Sequence, residues 1–389
     1  MTNITLFAQI IGKLCRQSFN KLVQKHATDK HSKGINSWTH LVSMLFCQFA
    51  KANSLREISN GLRSATGNLN HLGVERAPCK SSLSYINEHR DWQLFKDFYF
   101  VLLEQFYAQA SCRKVKFRIK SKILLLDATV ISVCLSVFDW ALYRRKKGAL
   151  KLHTVLDYDG CLPVFVYMTD GKTHEIKVAK ELIFPSGSVV VADRAYLDFA
   201  MLYHWYKNKV NFVVRKKSNI KYHHLKMMPT NKNRYEKIVI DEMIELDESG
   251  AYEKYPEPLR LIVIDDVESN QYIEILTNNF SWTANTISDL YKARWEIEIF
   301  FRDIKQLLKI KSFVGTSPNA VLIQIWTAMI TILVLKFLKQ IARYDWCLSN
   351  LMAFLRMNLF TKIDLQRWLD KPFEEIPEHP PDNAQLSLF

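Results

Sequence analysis

Three carboxylates stand in settings that suit chemistry. Asp127 follows the apolar run Ile123 to Leu126, and Asp193 follows Ser188 to Ala192. Each reads as the end of a buried strand, where α/β sheets gather ligands. A strand-end Asp is often only a cap, so neither is decisive alone. Glu298 belongs to a helix predicted from Ser288. At about 100° per residue, Arg294, Trp295, Glu298, Arg302 and Lys305 fall within about 60° of Tyr291. Ile297, Phe300, Ile304, Leu307 and Leu308 take the far side, an apolar stripe for the core. A solvated face with an ordinary Glu298–Arg302 pair is the plain alternative. A Tyr and a Trp among three cations and one acid suit phosphate binding and base stacking better.

The surrounding pattern supplies elements to position these groups. Residues 1–112 read as a helical N-terminal domain. Ile4, Phe7, Ile10, Ile11 and Leu14 recur at helical spacing, as do Leu41, Met44, Leu45 and Phe49. Ser54 and Glu57 form a capping box for a further helix, and Lys80 to Glu88 predicts another. Two short helices around a polar turn suggest a helix-turn-helix presented to DNA, although many small helical domains share the pattern without touching DNA. Residues 113–122 form a basic linker. Strands and helices then alternate. Lys151–Leu156 and Pro163–Met168 flank the turn Asp157–Gly160 as a hairpin, Thr173 caps a helix through Leu182, and Asn211–Arg215 is another strand. Residues 216–285 are β-rich and charged. Helices resume and run to about Trp368, including the apolar stretch Ala320–Leu335. That stretch is shorter than the roughly 20 residues a membrane span needs, and Gln324, Thr327 and Thr331 interrupt it, so it is a core helix. No membrane association is expected.

Tyr291, Arg294, Glu298 and Lys305 reproduce a Y-(2)-R-(3)-E-(6)-K signature. The chain resembles the DDE transposases of bacterial insertion sequences, in the group often called the IS-four family. LLLDATVIS resembles that family's first-Asp strand, KLHTVLDYDGCLP its hairpin and VVVADRAYLDF its second-Asp strand. LYKARWEIEIFFRDIKQLLKI resembles its third-acid helix. TNNF before that helix and GTSPNAVLIQIWTAMI after it also match. Ala195 departs mildly, standing where Gly is as frequent. The likeness runs over about residues 120–345, and the N-terminal region resembles the helical domain that often precedes such catalytic domains. It implies an α/β fold with an RNase H-like core (113–215 and 286–345), a β-rich insertion (216–285) and C-terminal helices (346–370). It also implies Mg²⁺ or Mn²⁺, and cut-and-paste transposition through hairpin ends.

The chemistry is consistent with the donor set. Phosphodiester cleavage needs an activated oxygen nucleophile and a stabilised leaving oxygen, and two metals about 4 Å apart provide both. Hard divalent ions choose carboxylate oxygens. Asp127, on the central strand, is assigned as the bridge, with Asp193 completing one site and Glu298 the other. Arg294 and Lys305 would grip the phosphate beside the scissile bond, with Tyr291 bonding the same group. Trp282 and Trp295 are candidates to hold a base drawn from the stack at a hairpin; packing is the competing role for each. Asp139 follows the first motif too closely to lie on another strand end, and Asp157 and Asp159 fit turn geometry better than metal binding. His153 and Lys151 lie on the strand that should pair with the Asp127 strand, where a His is more often structural.

Whole-chain properties agree. The 389 residues carry 53 Lys and Arg against 39 Asp and Glu, a formal charge of +14, which favours a polyanionic partner. Seven scattered Cys, with no C-x-x-C pair, read as reduced and mostly buried thiols of a cytoplasmic protein. The N-terminus lacks the pattern of a signal peptide. DNA is the expected partner, as transposon-end inverted repeats and as target, together with a second copy of the chain, because two ends must be joined. A structure-specific nuclease and a non-catalytic DNA-binding regulator are the alternatives. The tail 371–389 is rich in Pro and acid and cannot pack a core, yet it ends in Gln385-Leu386-Ser387-Leu388-Phe389. That pentapeptide resembles the motif by which bacterial replication and repair proteins bind the DNA polymerase sliding clamp. Gln385 would be its polar contact, Leu386, Leu388 and Phe389 its anchors, and clamp binding would bring the protein to the nucleoid.

Overall fold

A computed structural model describes residues 3–374, apart from 31, 33, 66, 110–116, 118, 134–141, 144–146, 230–237, 248–249, 267–270 and 309–311. Most of the basic linker and the whole terminal pentapeptide lie outside the described residues, as does Asp139. The N-terminal region is helical: α1 (Leu6–Ile11), α2 (Arg16–Lys25), α3 (Ser37–Ala50), α4 (Leu55–Ser64), α5 (Lys80–His89) and α6 (Gln93–Gln109). Helix α4 begins as its capping box predicts. Ser54 Oγ accepts from Glu57 N at 3.2 Å, and Glu57 Oε2 accepts from Asn53 N at 2.8 Å, one residue beyond the cap.

The sheet begins with β1 (Ile123–Val133), β2 (Leu142–Tyr143), β3 (Lys147–Asp157) and β4 (Leu162–Asp170). Short helix α7 (Glu175–Ala179) leads to β5 (Val189–Ala192), then α8 (Phe199–Lys207) and β6 (Asn211–Arg215). Strand β3 runs antiparallel to both β1 and β4, whereas β1, β5 and β6 are parallel. Helices cover this five-strand unit, which is the RNase H-like core expected.

Residues 216–285 are β-rich, as expected, and they do not form a separate body. Strands β7 (Tyr222–Met227), β8 (Ile238–Leu246), β9 (Leu259–Asp266) and β10 (Gln271–Thr277) continue the same sheet, because β10 pairs antiparallel with β6. The remaining helices are α9 (Ala284–Ala293), α10 (Trp295–Leu307), α11 (Pro318–Ile341), α12 (Leu348–Asn358) and α13 (Leu365–Asp370).

Two cores lie on opposite faces of the sheet, as strand alternation requires. Ile123, Leu125, Val189 and Val191 pack towards α9–α11 and the N-terminal helices, while Leu124, Leu126, Val190 and Ala192 pack towards α8. Helix α11 has the length and apolarity to cross a membrane, but most of it is buried inside the protein, against α3, α5, α6 and α12. Its Thr327 and Thr331 hydroxyls donate to carbonyls one turn back, and Gln324 bonds Val314 N and Ser312 O. The N-terminal and C-terminal helices share one core: Leu6 N donates to Thr361 O at 2.9 Å and Phe7 N to Leu359 O at 2.8 Å.

Some local expectations need correction. The segment after β4 is a five-residue helix, not one running to Leu182. Thr173 does not cap it; its N and Oγ1 both donate to Asp170 Oδ1, closing a turn instead. The thiols are not mostly buried. Among the described ones Cys47 is buried, Cys15 and Cys161 are half-buried, and Cys79 and Cys347 are exposed.

Candidate active site

Strand alternation brings the first two acids together. Leu126 pairs with Ala192 across the parallel strands β1 and β5, so Asp127 and Asp193 are the next residues on neighbouring strands. They share the parity of Leu125 and Val191, whose side chains face α9–α11. Asp193 closes its strand and opens the 3₁₀ turn Arg194–Tyr196, as predicted. Asp127 does not close its strand. The β-branched run Thr129-Val130-Ile131 carries β1 on to Val133, paired with β3. Asp127 marks the end of the parallel pairing, where β5 stops and the face of β1 opens.

The third acid arrives on a broken helix. Thr283 Oγ1 accepts from Thr286 N, so α9 starts at Ala284, ahead of the expected Ser288. At Arg294 the hydrogen bonds tighten to three-residue spacing, Arg294 N to Tyr291 O and Ile297 N to Arg294 O, both 3.1 Å. This local turn shifts the phase of one straight helix. Tyr291 is therefore buried, at 7% exposure, rather than on the open strip with Trp295, which is 60% exposed. The apolar stripe of α10 holds as expected: Ile297, Phe300, Ile304 and Leu307 are all buried.

Arg294 sits at the centre. Its Nη1 lies 2.7 Å from Glu298 Oε1 and 3.7 Å from Asp127 Oδ2. Its Nε is buried with no partner, and its guanidinium stands 5.7 Å over the Tyr291 ring and 5.9 Å over the Trp295 ring. Asp127 is pushed up to about 6, first by burial and further by Asp193 and Glu298, against the pull of Ala128 N and Arg294. Burial raises the Tyr291 hydroxyl too, with Asp193 adding to the effect. Lys305 reaches Thr129 Oγ1 at 2.5 Å, one side-chain pair along β1 from Asp127. Asp127, Thr129, Glu298, Arg302 and Lys305 line a groove of ≈ 420 Å³. Asp193 lines a neighbouring groove of ≈ 430 Å³ with His174, Glu175, Arg194 and Lys217. The side chain of Arg302 is 59% exposed, with only a 3.9 Å approach to Asp303.

The donor set suits hard divalent ions: carboxylates, one of them driven towards protonation by burial and then by its acidic neighbours. Among the described residues no three acidic, Cys or His side chains are yet closed around one point. Arg294 stands between Asp127 and Glu298 and offsets the repulsion of their carboxylates.

Positioning residues escaped the sequence reading. Arg260 is 3% exposed and grips Asp241 with Nε and Nη2, both at 2.8 Å, while Nη1 donates to Trp282 O at 2.6 Å. Asn279 Oδ1 accepts from Ser281 N and Trp282 N, and Asn278 is bonded to Phe212 N and Val210 O. The TNNF segment thus fastens the start of α9 to the insertion and to β6. Trp282 is half-buried and packs on the core. His153 and Lys151 lie on β3, opposite Ala128 and Val130. His153 bonds Thr169 Oγ1 at 2.9 Å, and Lys151 pairs with Glu175 at 2.8 Å. Asp157 and Asp159 form the hairpin turn, Asp159 N donating to Asp157 Oδ1. A cavity of ≈ 520 Å³ lies on the other flank of α10, by Glu296, Phe300, Asp303 and Lys336, and holds none of the three acids.

Residues 118–334 match the family described as the transposase DDE domain. The chain belongs to the DDE transposase family. Residues 2–75 match a second family, described as a domain of unknown function. A probable transposase for an insertion sequence element of Geobacillus stearothermophilus is 29% identical over 221 residues, 57% of this chain and 58% of that protein. The chain thus spans little more than half the length of that relative. A putative transposase for an insertion sequence element of Synechocystis is 27% identical over 296 residues, 74% of this chain and 80% of that one. Among solved structures, a piggyBac transposase synaptic complex with hairpin DNA overlaps 96% of this chain and 81% of its own, at 12% identity and a TM-score of 0.45. That likeness is too slight to carry an argument. The family's members are DNA-cleaving, strand-transferring enzymes that depend on divalent metal.

Proposed function

We propose that this chain is the transposase of an insertion sequence, cleaving DNA at the element's ends and joining them to target DNA. The observation that carries the proposal is the meeting of Asp127 and Glu298 on one guanidinium nitrogen of Arg294. Asp193 stands one register step beyond Ala192 on the same sheet face. Asp127, Asp193 and Glu298 would hold two ions, Mg²⁺ or Mn²⁺, with Asp127 between them. When bound, such ions supply Lewis-acid activation of the attacking oxygen and stabilisation of the leaving one.

The chain's own residues bind and orient the DNA. Lys305 and Arg302 line the groove and meet the phosphates flanking the scissile bond. Arg294, beside the same acids, would join them, with Tyr291 orienting the guanidinium that stands over its ring. Trp295 offers an exposed face for a base drawn out at a hairpin end; Trp282, half-buried, is the second candidate. The excess of 14 positive charges favours DNA association generally. Helices α4 and α5 would contact the terminal inverted repeats, two copies of the chain would hold two ends, and residues 385–389 would engage the sliding clamp. Such partners would bring the protein to the nucleoid, in the cytoplasm.

The experiment is incubation with the element's own flanking DNA and Mg²⁺, with strand-resolved mapping of products. End cleavage followed by joined product supports the proposal. Cleavage without joining would make the chain a nuclease.

A further inference from the structure

The two flanks of the site are unequally provided with counter-charge. Asp127 and Glu298 share Arg294. Among the described residues Asp193 has neither an ion pair nor a side-chain hydrogen bond. On its side stands another acid that the family signature does not contain. Glu175 opens α7, and α7 packs on the 3₁₀ turn Arg194–Tyr196 that begins directly after Asp193. Glu175 and Asp193 line the same groove. The Glu175 carboxylate is held at 2.8 Å by Lys151, whose ammonium also donates to Thr173 O at 2.8 Å.

A second feature points into this cluster. Tyr196 is 1% exposed, and its hydroxyl has no hydrogen-bond partner. Burial first, and then the charges of Asp127, Glu175 and Asp193, push the pKa of that hydroxyl up. A buried hydroxyl left unpaired is unfavourable. A polar ligand held among these acids would satisfy it.

We propose that Glu175 is a fourth carboxylate of the metal centre, sharing with Asp193 the divalent ion on that flank. Lys151 is the counter-ion of Glu175 when the metal is absent, as Arg294 is for Asp127 and Glu298. The inference rests on the two-metal reading above, and it gives the ion at Asp193 a second terminal ligand.

The test is Mn²⁺ binding to the full chain, read by the electron paramagnetic resonance of free Mn²⁺. The unaltered protein should bind two ions. Glu175→Gln should weaken one of them about tenfold or more, the loss typical of a removed partner in a metal site, while Glu175→Asp retains part of the affinity. Two unchanged sites in Glu175→Gln would overturn the inference and leave the two-metal reading standing. Failure of the unaltered chain to bind two ions would overturn both. A readout without substitution comes from Fe²⁺ loaded in place of Mn²⁺ and treated with peroxide. Backbone cleavage is expected around residue 175 as well as around 127, 193 and 298; cleavage around the last three alone contradicts the proposal.

Discussion

Arg294 and Glu298 form an ion pair of 2.7 Å across the joint between two helices, and the same arginine nitrogen approaches Asp127 at 3.7 Å. The joint explains the arrangement. Three-residue hydrogen bonds at Arg294 shift the phase between α9 and α10, so that Tyr291 is buried while Trp295 is exposed. The arginine thus stands between two acids, where a metal would compete with it for the carboxylates and a DNA phosphate would compete with the carboxylates for it.

Arg294 and Lys305 should behave as phosphate contacts when DNA is bound. Arg294→Met and Lys305→Met should each lower the slope of log K against log salt for end binding by about one. Filter binding or anisotropy over a salt series measures this. Unchanged slopes in both variants would remove the clamp from the account.

Arg260 should matter to stability and, through the start of α9, to the position of Glu298. Arg260→Met leaves Asp241, 2% exposed, as an uncompensated buried charge. A loss of about 3–5 kcal/mol is expected by denaturant titration. The double variant Arg260→Met, Asp241→Leu should recover much of it. A single variant within about 0.5 kcal/mol of the parent would show that the pair contributes little.

Two buried histidines set a pH dependence. His40 is lowered to about 3, chiefly by burial and then by Arg90, and His153 to about 4, chiefly by burial and then by Lys151. Both stay neutral in the folded chain at pH values where the unfolded chain is protonated, below about 6.5. The unfolded state therefore binds more protons, and stability falls as pH drops from about 6.5 towards 4. The slope should approach about 1.4 kcal/mol per pH unit for each histidine. His40→Gln should flatten it by about one proton. A slope unchanged in that variant would mean that His40 is not held neutral.

The sequence made the acids legible because their signal is local. A short apolar run leads directly into each Asp, and four polar residues keep fixed spacing along one segment. The positions of β6, of the Ser54 cap and of the α10 stripe were legible for the same reason. Tyr291 was misplaced because the phase shift at Arg294 comes from backbone hydrogen bonding that no residue type announces. The extent of β1 beyond Asp127 depends on pairing with β3, a long-range contact. Arg260–Asp241 and Lys151–Glu175 join residues 19 and 24 positions apart, and nothing in the local pattern of either partner names the other. The sharing of one core by the first and last helices is likewise a matter of tertiary packing, beyond what periodicity conveys.

The central claim is that Asp127, Asp193 and Glu298 are the reacting centre's acids. The direct measurement is strand-resolved cleavage of a DNA end by the Asp127→Asn, Asp193→Asn and Glu298→Gln variants with Mg²⁺, beside DNA binding by the same preparations. Each variant should bind the end as the unaltered chain does and cleave it at least a thousandfold more slowly, about 4 kcal/mol in barrier. Full cleavage by Glu298→Gln would contradict the account.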